Sequence, residues 1–161
     1  MTLTSQSYQF FTRLEDFMSV WKEPLQKLSG DRIIEIFGVW DNIDKCWFEE
    51  APMLVNISSG ILSIHVKSER YLAVGWNDIL LNEKPIWLDE KEIIDPSGFH
   101  WIEDLIWKEY DSVNTAKNRT IKEITPIVNS NGLIGLDFSF IEGGNLLIYD
   151  DCDMILGIWK Q

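Results

Sequence analysis

Positively charged side chains are scarce in this sequence. Its 161 residues include 14 Lys and Arg against 26 Asp and Glu, which leaves a net charge of −12. Proteins that bind DNA or RNA use Lys and Arg to contact the phosphates. The composition therefore argues against a nucleic-acid ligand. It predicts instead that a basic protein partner would be attracted electrostatically from a distance.

Cysteine and histidine, which form most metal and nucleophilic sites, are also rare. Cys46, His65, His100 and Cys152 are widely spaced, whereas zinc sites usually contain close-spaced ligand pairs. No nucleophile motif surrounds either histidine. We predict no catalytic residue, no metal site and no cofactor. From the sequence, the two cysteines are either free thiols or one disulfide.

Two other groups of residues lack the spacing of a chemical motif. Asp150, Asp151 and Asp153 could hold a hard cation, but the offsets of an EF-hand loop are missing. We interpret this segment as a solvated acidic turn. Gly143-Gly144 is not followed by a helix, as a phosphate-binding loop would be, and is interpreted as a turn between strands.

Long apolar segments are missing as well. No run approaches the about 20 residues that span a bilayer. The N-terminal stretch MTLTSQSYQFFTRLEDF lacks the basic and apolar regions of a signal peptide. We expect a cytoplasmic protein without membrane association. A length of 161 residues predicts a single domain over residues 1–161, and a hydrophobic content of 45% is that of an ordinary globular protein.

Apolar residues first recur at helical spacing, over residues 14–28, which predicts an amphipathic helix. Thr12 and Glu15 form a capping-box pattern that would start this helix at about Arg13. Pro24 should kink or split it, and Ser29-Gly30 should end it.

Strand patterns dominate the rest of the chain. Predicted strands cover residues 32–40, 53–57, 61–67, 71–76, 134–140, 145–149 and 154–159. Within 61–67, apolar residues alternate with Ser63, His65 and Lys67, so we expect these three polar side chains to face solvent. A second helix is predicted from Phe99 to Tyr110. The expected fold is α+β, a predominantly antiparallel β-sheet with an N-terminal helix and a second helix between strand groups.

Acidic residues are grouped with aromatic residues in two blocks, around residues 40–50 and 87–92. Acidic side chains steer a basic partner towards a surface, and aromatic side chains anchor it there. We therefore predict partner-binding roles for Trp40, Asp41, Asp44, Trp47, Glu49 and Glu50 in the first block, and for Asp89, Glu90 and Glu92 in the second. The alternative interpretation places the aromatic residues in the core and the acidic residues in solvated turns.

The C-terminal stretch GLIGLDFSFIEGGNLLIYDDCDMILGIW, residues 132–159, resembles the closing strands of small bacterial toxin immunity proteins. The resemblance covers these residues only and carries no site residue. It implies a protein that binds a cognate toxin enzyme, often a basic nuclease, and blocks its active site. Acidity, small size and the lack of a catalytic motif agree with that expectation.

Two other functions remain open from the sequence. One is a small ligand-binding or enzymatic domain with an aromatic-lined pocket between sheet and helix, suited to a sugar or a nucleobase. The other is a structural subunit whose exposed aromatic residues form an oligomer contact.

Overall fold

The computed structural model describes residues 2–4, 8–88, 104–152 and 154–161. Thirteen strands, one α-helix and one 3₁₀ helix occur in these ranges. In chain order they are β1 (Thr2–Thr4), β2 (Phe10–Phe11), α1 (Leu14–Gln26), β3 (Ile33–Asp41), β4 (Cys46–Trp47), β5 (Met53–Ile57), β6 (Gly60–Lys67), β7 (Tyr71–Trp76), β8 (Ile86–Leu88), β9 (Leu105–Glu109), the 3₁₀ helix (Asp111–Ala116), β10 (Ile121–Val128), β11 (Leu133–Phe140), β12 (Asn145–Asp151) and β13 (Met154–Lys160).

Two antiparallel sheets dominate the architecture, which confirms the predicted α+β class. A seven-stranded sheet has the order β2-β7-β6-β5-β3-β4, with β9 also paired to β3, and a four-stranded sheet has the order β10-β11-β12-β13. Strands β1 and β8 form a separate parallel pair. The main core lies where β11, β12 and β13 pack against β6, and its fully buried side chains include Phe138, Leu62 and Ile64.

Helix α1 begins and ends close to the predicted positions, but its capping differs. Arg13 is the N-cap residue and makes no side-chain capping bond; its guanidinium instead donates to the Glu15 carboxylate at 3.1 Å. The predicted capping box is therefore wrong. The helix continues past Pro24 to Gln26, so the proline does not split it, although it removes the backbone bond that its N–H would have donated to Val20. No helix in the described ranges is long and apolar enough to cross a membrane.

The seven-stranded sheet is covered on both faces, which corrects the prediction for β6. Ser63 and His65 are 0% and 3% exposed, whereas solvent exposure was expected. They lie on the face opposite the main core, under a second buried cluster that includes Tyr8 from the N-terminal segment and Ile79. The alternation in β6 distinguished the two faces correctly, but it could not show that both are buried.

The segment before residue 111 is a strand where the sequence predicted a helix. Residues 105–109 form β9, and Trp40 pairs with Ile106 in the antiparallel register of β3 and β9. The part of the predicted helix over 99–103 lies outside the described residues. A helix does stand between the two strand groups, as the 3₁₀ helix. Strand β10 was not predicted, and it contains Pro126, a residue type that is uncommon within strands.

Candidate functional site

The first acidic–aromatic block forms the hairpin of β3 and β4. Trp40 and Trp47 are directly paired in this hairpin, with ring centroids 5.2 Å apart in an edge-to-face arrangement. Tyr110 extends the contact, with its ring centroid 4.8 Å from that of Trp47. We call these three half-buried residues the aromatic cluster. Gly38 makes room for it, because a Cβ there would stand only 3.1 Å from the Trp47 ring.

A lysine from the neighbouring strand lies on this cluster. The Lys108 ammonium is 3.7 Å from the Trp40 ring centroid and 5.6 Å from that of Trp47. A cation over an indole face is stabilised by the negative electrostatic potential of the ring. The sequence interpretation missed both Lys108 and Tyr110, since it assigned their segment to a helix. Ile106, Trp107 and Tyr110 are residue types that are enriched in strands, and this was the signal that could have identified β9.

Asp41, for which a partner-binding role was predicted, is buried beneath the β3–β4 turn. It is 5% exposed, and its carboxylate accepts hydrogen bonds from the backbone N–H groups of Ile43 and Asp44, at 2.8 and 3.3 Å. An Asp that bonds backbone two and three residues ahead stabilises a turn. Asp41 therefore shapes the β3–β4 turn, and its charge is not available at the surface.

The other acidic residues of the block are accessible. Asp44 and Glu50 are exposed and Glu49 is half-buried; we call these three residues the acidic rim. Ile43, at the tip of the turn, is 50% exposed. Asp104 adds a further carboxylate near the turn, and hydrogen bonds from Lys84 first and Asn42 second lower its pKa. The structure thus brings exposed acidic side chains and half-exposed indoles onto one hairpin and the segment that follows it.

The second predicted block cannot be placed. Asp89, Glu90 and Glu92 lie outside the described residues, so their partner-binding roles remain predictions. We call the aromatic cluster and the acidic rim together the hairpin surface.

A concave site lies elsewhere, between α1 and the seven-stranded sheet. We call this site the aromatic groove, and its volume is about 410 Å³. Trp21 of α1 and Trp76 at the end of β7 contribute indole surface, and Leu25 and Leu62 are among its apolar lining residues. Its polar groups include Asp31, Ser59 and Lys27. The groove matches the alternative expectation of an aromatic-lined pocket between sheet and helix.

His65 is sealed inside the second buried cluster. Its Nε2 lies 3.0 Å from the Glu50 carbonyl oxygen, and the rings of Tyr8 and Phe10 contact it edge-on at 5.6 and 5.1 Å. Burial lowers the pKa of His65 to about 4, so the imidazole is neutral at pH 7. Nearby, Ser63 donates a hydrogen bond to Asp78 at 3.0 Å, and burial raises the pKa of Tyr8.

The two cysteines are not joined by a disulfide, and Cys152 lies in the C-terminal acidic turn. Cys46 and Cys152 are exposed free thiols. The negative charge of the Asp151 carboxylate raises the pKa of the Cys152 thiol, which favours the protonated thiol. A protonated thiol is a poor nucleophile and a poor metal ligand. Asp150 is 3% exposed and accepts the Glu69 N–H at 2.7 Å, so only part of the acidic turn is solvated. Asp153 lies outside the described residues.

No protein-family model, curated protein or solved structure matches this chain. Its function is therefore inferred from its own side chains. Within the part of the chain that the structure describes, the hairpin surface and the aromatic groove both offer recognisable binding chemistry.

Proposed function

We propose that the protein is an immunity-type binding protein, which neutralises a basic toxin enzyme by forming a stoichiometric complex with it. The hairpin surface carries the proposal. There, the half-exposed Trp40–Trp47 pair holds the Lys108 ammonium group at 3.7 Å from the Trp40 centroid. An indole pair that accommodates one ammonium group is chemically suited to Lys or Arg side chains of a partner.

Charge and aromatic surface contribute to different steps of binding. The acidic rim and the overall charge of −12 would accelerate encounter with a basic protein, an effect that falls as salt shortens the Debye length to about 8 Å at 0.15 M. Trp40 and Trp47 would then be buried at the contact and would slow dissociation.

The proposal includes no catalytic step by this chain. His65, which could serve as a base in an enzyme, is 3% exposed and is enclosed by Tyr8 and Phe10. A dissolved substrate cannot reach it in this conformation. Both described thiols are exposed, and Cys152 is held towards its protonated form.

The test starts with capture of the partner, at low salt, from the cells that make this protein. The captured protein is purified, its activity is measured, and association rates are recorded with the native chain and with the triple variant Asp44→Lys, Glu49→Lys, Glu50→Lys. Because electrostatic steering changes association rates by 10-fold or more, we expect the variant to associate about tenfold more slowly. We also expect the native chain to abolish the partner's activity at a one-to-one ratio.

A matched control separates the surface from the net charge. The variant Asp16→Lys, Glu23→Lys, Glu123→Lys also replaces three acidic residues, all exposed and located on α1 and β10, and should slow association much less. Equal slowing by both variants would contradict the assignment to the hairpin surface. A partner that is itself acidic, or that stays active in the saturated complex, would contradict the immunity-type function.

A further inference from the structure

The aromatic groove has the dimensions of a small-molecule site. Its volume of about 410 Å³ falls within the roughly 300–1,000 Å³ that is usual for ligand pockets. Helix α1 forms one side, and residues at the ends of β6 and β7 form the other. Apolar side chains such as Leu25 and Leu62 line it together with a few polar groups, which is the usual composition of a ligand pocket.

The Trp76 side of the groove is held in place by tight packing. A Cβ at Gly60 would stand 2.5 Å from Cζ2 of Trp76 and 2.5 Å from Oδ1 of Asn77, so the indole lies directly on the glycine. Asn77 fixes the same corner, since its Oδ1 accepts the Ile61 N–H at 2.8 Å. Trp76 therefore presents a positioned aromatic surface, which reduces the entropy lost when a ligand binds.

Asp31 provides a positioned acceptor in the groove. Its carboxylate accepts hydrogen bonds from the hydroxyls of Ser58 and Ser59, at 3.1 and 2.5 Å. A carboxylate has about four acceptor positions, so about two remain for a ligand. Two hydroxyl groups already bond to this carboxylate, and further hydroxyl groups are the donors that suit it.

The charges around the groove select the class of ligand. Asp31 and Lys27 both line the groove and carry opposite charges. Lys27 would therefore repel a cationic ligand, and Asp31 would repel an anionic ligand. A neutral ligand avoids both repulsions. It can donate hydroxyl hydrogens to Asp31 and to the oxygen of Ser59, whose own hydrogen is donated to Asp31, and it can accept a hydrogen bond from Lys27.

We propose that the aromatic groove binds a neutral hydroxylated ring, the chemistry of a sugar. The apolar face of the ring would stack on the indole of Trp76 or Trp21, and its hydroxyl groups would bond to Asp31. This site is separate from the hairpin surface, and its occupation does not depend on the immunity-type function.

Titration of the full chain with defined probes tests the site. Glucose, galactose, N-acetylglucosamine and cellobiose are the neutral probes, and choline and glucose 6-phosphate carry the two charges. The indole N–H signals in ¹H–¹⁵N NMR spectra report binding, after Trp21→Phe and Trp76→Phe have assigned them. We expect at least one neutral sugar to shift both signals and to saturate at about 1–10 mM, the range of weak single-site binding.

Variants then locate the site. Trp76→Ala and Asp31→Ala should each weaken sugar binding about tenfold. Ser59→Ala should weaken sugar binding to the same degree, with little risk to folding because the position is exposed. Trp40→Ala in the hairpin surface should leave sugar affinity unchanged. Thermal unfolding of each variant shows whether it is folded, and Trp76→Phe replaces Trp76→Ala if the latter is not.

Three results would overturn the inference. The first is the absence of any indole shift at about 50 mM sugar, a concentration well above a Kd of about 1 mM. The second is tighter binding of choline or glucose 6-phosphate than of every neutral sugar. The third is equal sugar affinity of the native chain and the folded groove variants. None of them would bear on partner capture by the hairpin surface, so the two proposals fail separately.

Discussion

The hairpin surface and the aromatic groove each use a pair of tryptophans, but in opposite arrangements. Trp40 and Trp47 touch each other, with centroids 5.2 Å apart, and Lys108 covers part of their face. Trp21 and Trp76 belong to different elements and line a common cavity. Indoles that pack on each other leave a surface without depth, which suits a protein partner. Indoles that line a cavity leave room for a small molecule.

The two regions also differ in their support from the interior. The segment that carries the acidic rim is tied to the sheet through the Glu50 carbonyl, which lies 3.0 Å from Nε2 of buried His65. Trp76 is instead positioned by Gly60 and Asn77 at the end of a hairpin. Perturbations of His65 should therefore affect the hairpin surface, and perturbations of Gly60 should affect the groove.

Acidification gives the largest expected difference. The pKa of His65 is about 4 in the folded chain and about 6.5 in the unfolded chain. Between these values the unfolded state binds the proton and the folded state does not, so stability falls as the pH falls. One pKa unit corresponds to about 1.4 kcal/mol, so the titration of His65 should lower the unfolding free energy by about 3 kcal/mol between pH 7 and pH 4. Urea unfolding at several pH values between 7 and 4 measures it.

The variant His65→Phe is the control, since it keeps an aromatic ring and cannot titrate. Its unfolding free energy should change by about 3 kcal/mol less than that of the native chain over the same pH range. At pH 4, where about half of His65 is protonated in the folded chain, partner association at the hairpin surface should weaken more than sugar binding in the groove. Identical pH profiles for the native chain and the variant would show that His65 does not control acid stability.

The error at His65 shows where sequence reasoning reached its limit. Alternation in β6 is a local property, and it identified the strand and its two faces. The cover over the second face comes from Tyr8 and Ile79, which are distant in sequence and have no local pattern that points to β6. The same holds for the site. Trp40 and Trp47 were predicted together because they lie in one acidic block of the sequence, whereas Trp21 and Trp76 meet only through tertiary packing.

Two glycine substitutions test how rigidly each tryptophan pair is held. Neither Gly60 nor Gly38 has a positive φ, so alanine is allowed by the backbone at both. A Cβ at Gly60 would be 2.5 Å from Trp76, and one at Gly38 would be 3.1 Å from Trp47. Overpacking costs about 1–3 kcal/mol, so Gly60→Ala should approach the upper value and Gly38→Ala should stay near or below the lower one.

The functional readouts should separate in the same way. Gly60→Ala should displace the Trp76 indole and alter its NMR signal and the affinity for sugar, with partner association unchanged. Gly38→Ala should alter the Trp47 signal and partner dissociation only. Equal unfolding free energies and unchanged indole signals in both variants would show that neither glycine positions its tryptophan.

Removal of the Lys108 charge should have the smallest effect on stability. Lys108→Met keeps most of the length of the side chain and removes the ammonium from the Trp40 face, at a cost of about 0.5–1 kcal/mol for a partly exposed cation–π contact. Association with a basic partner should nevertheless become faster, because the substitution removes a positive charge beside the acidic rim. Lys122→Met, at an exposed position on β10, removes the same charge from a different sheet and should leave the Trp40 signal unchanged and the association rate much less affected. If Lys108→Met slowed association, or strengthened sugar binding in the groove, the assignment of the indole pair to a basic partner would be wrong.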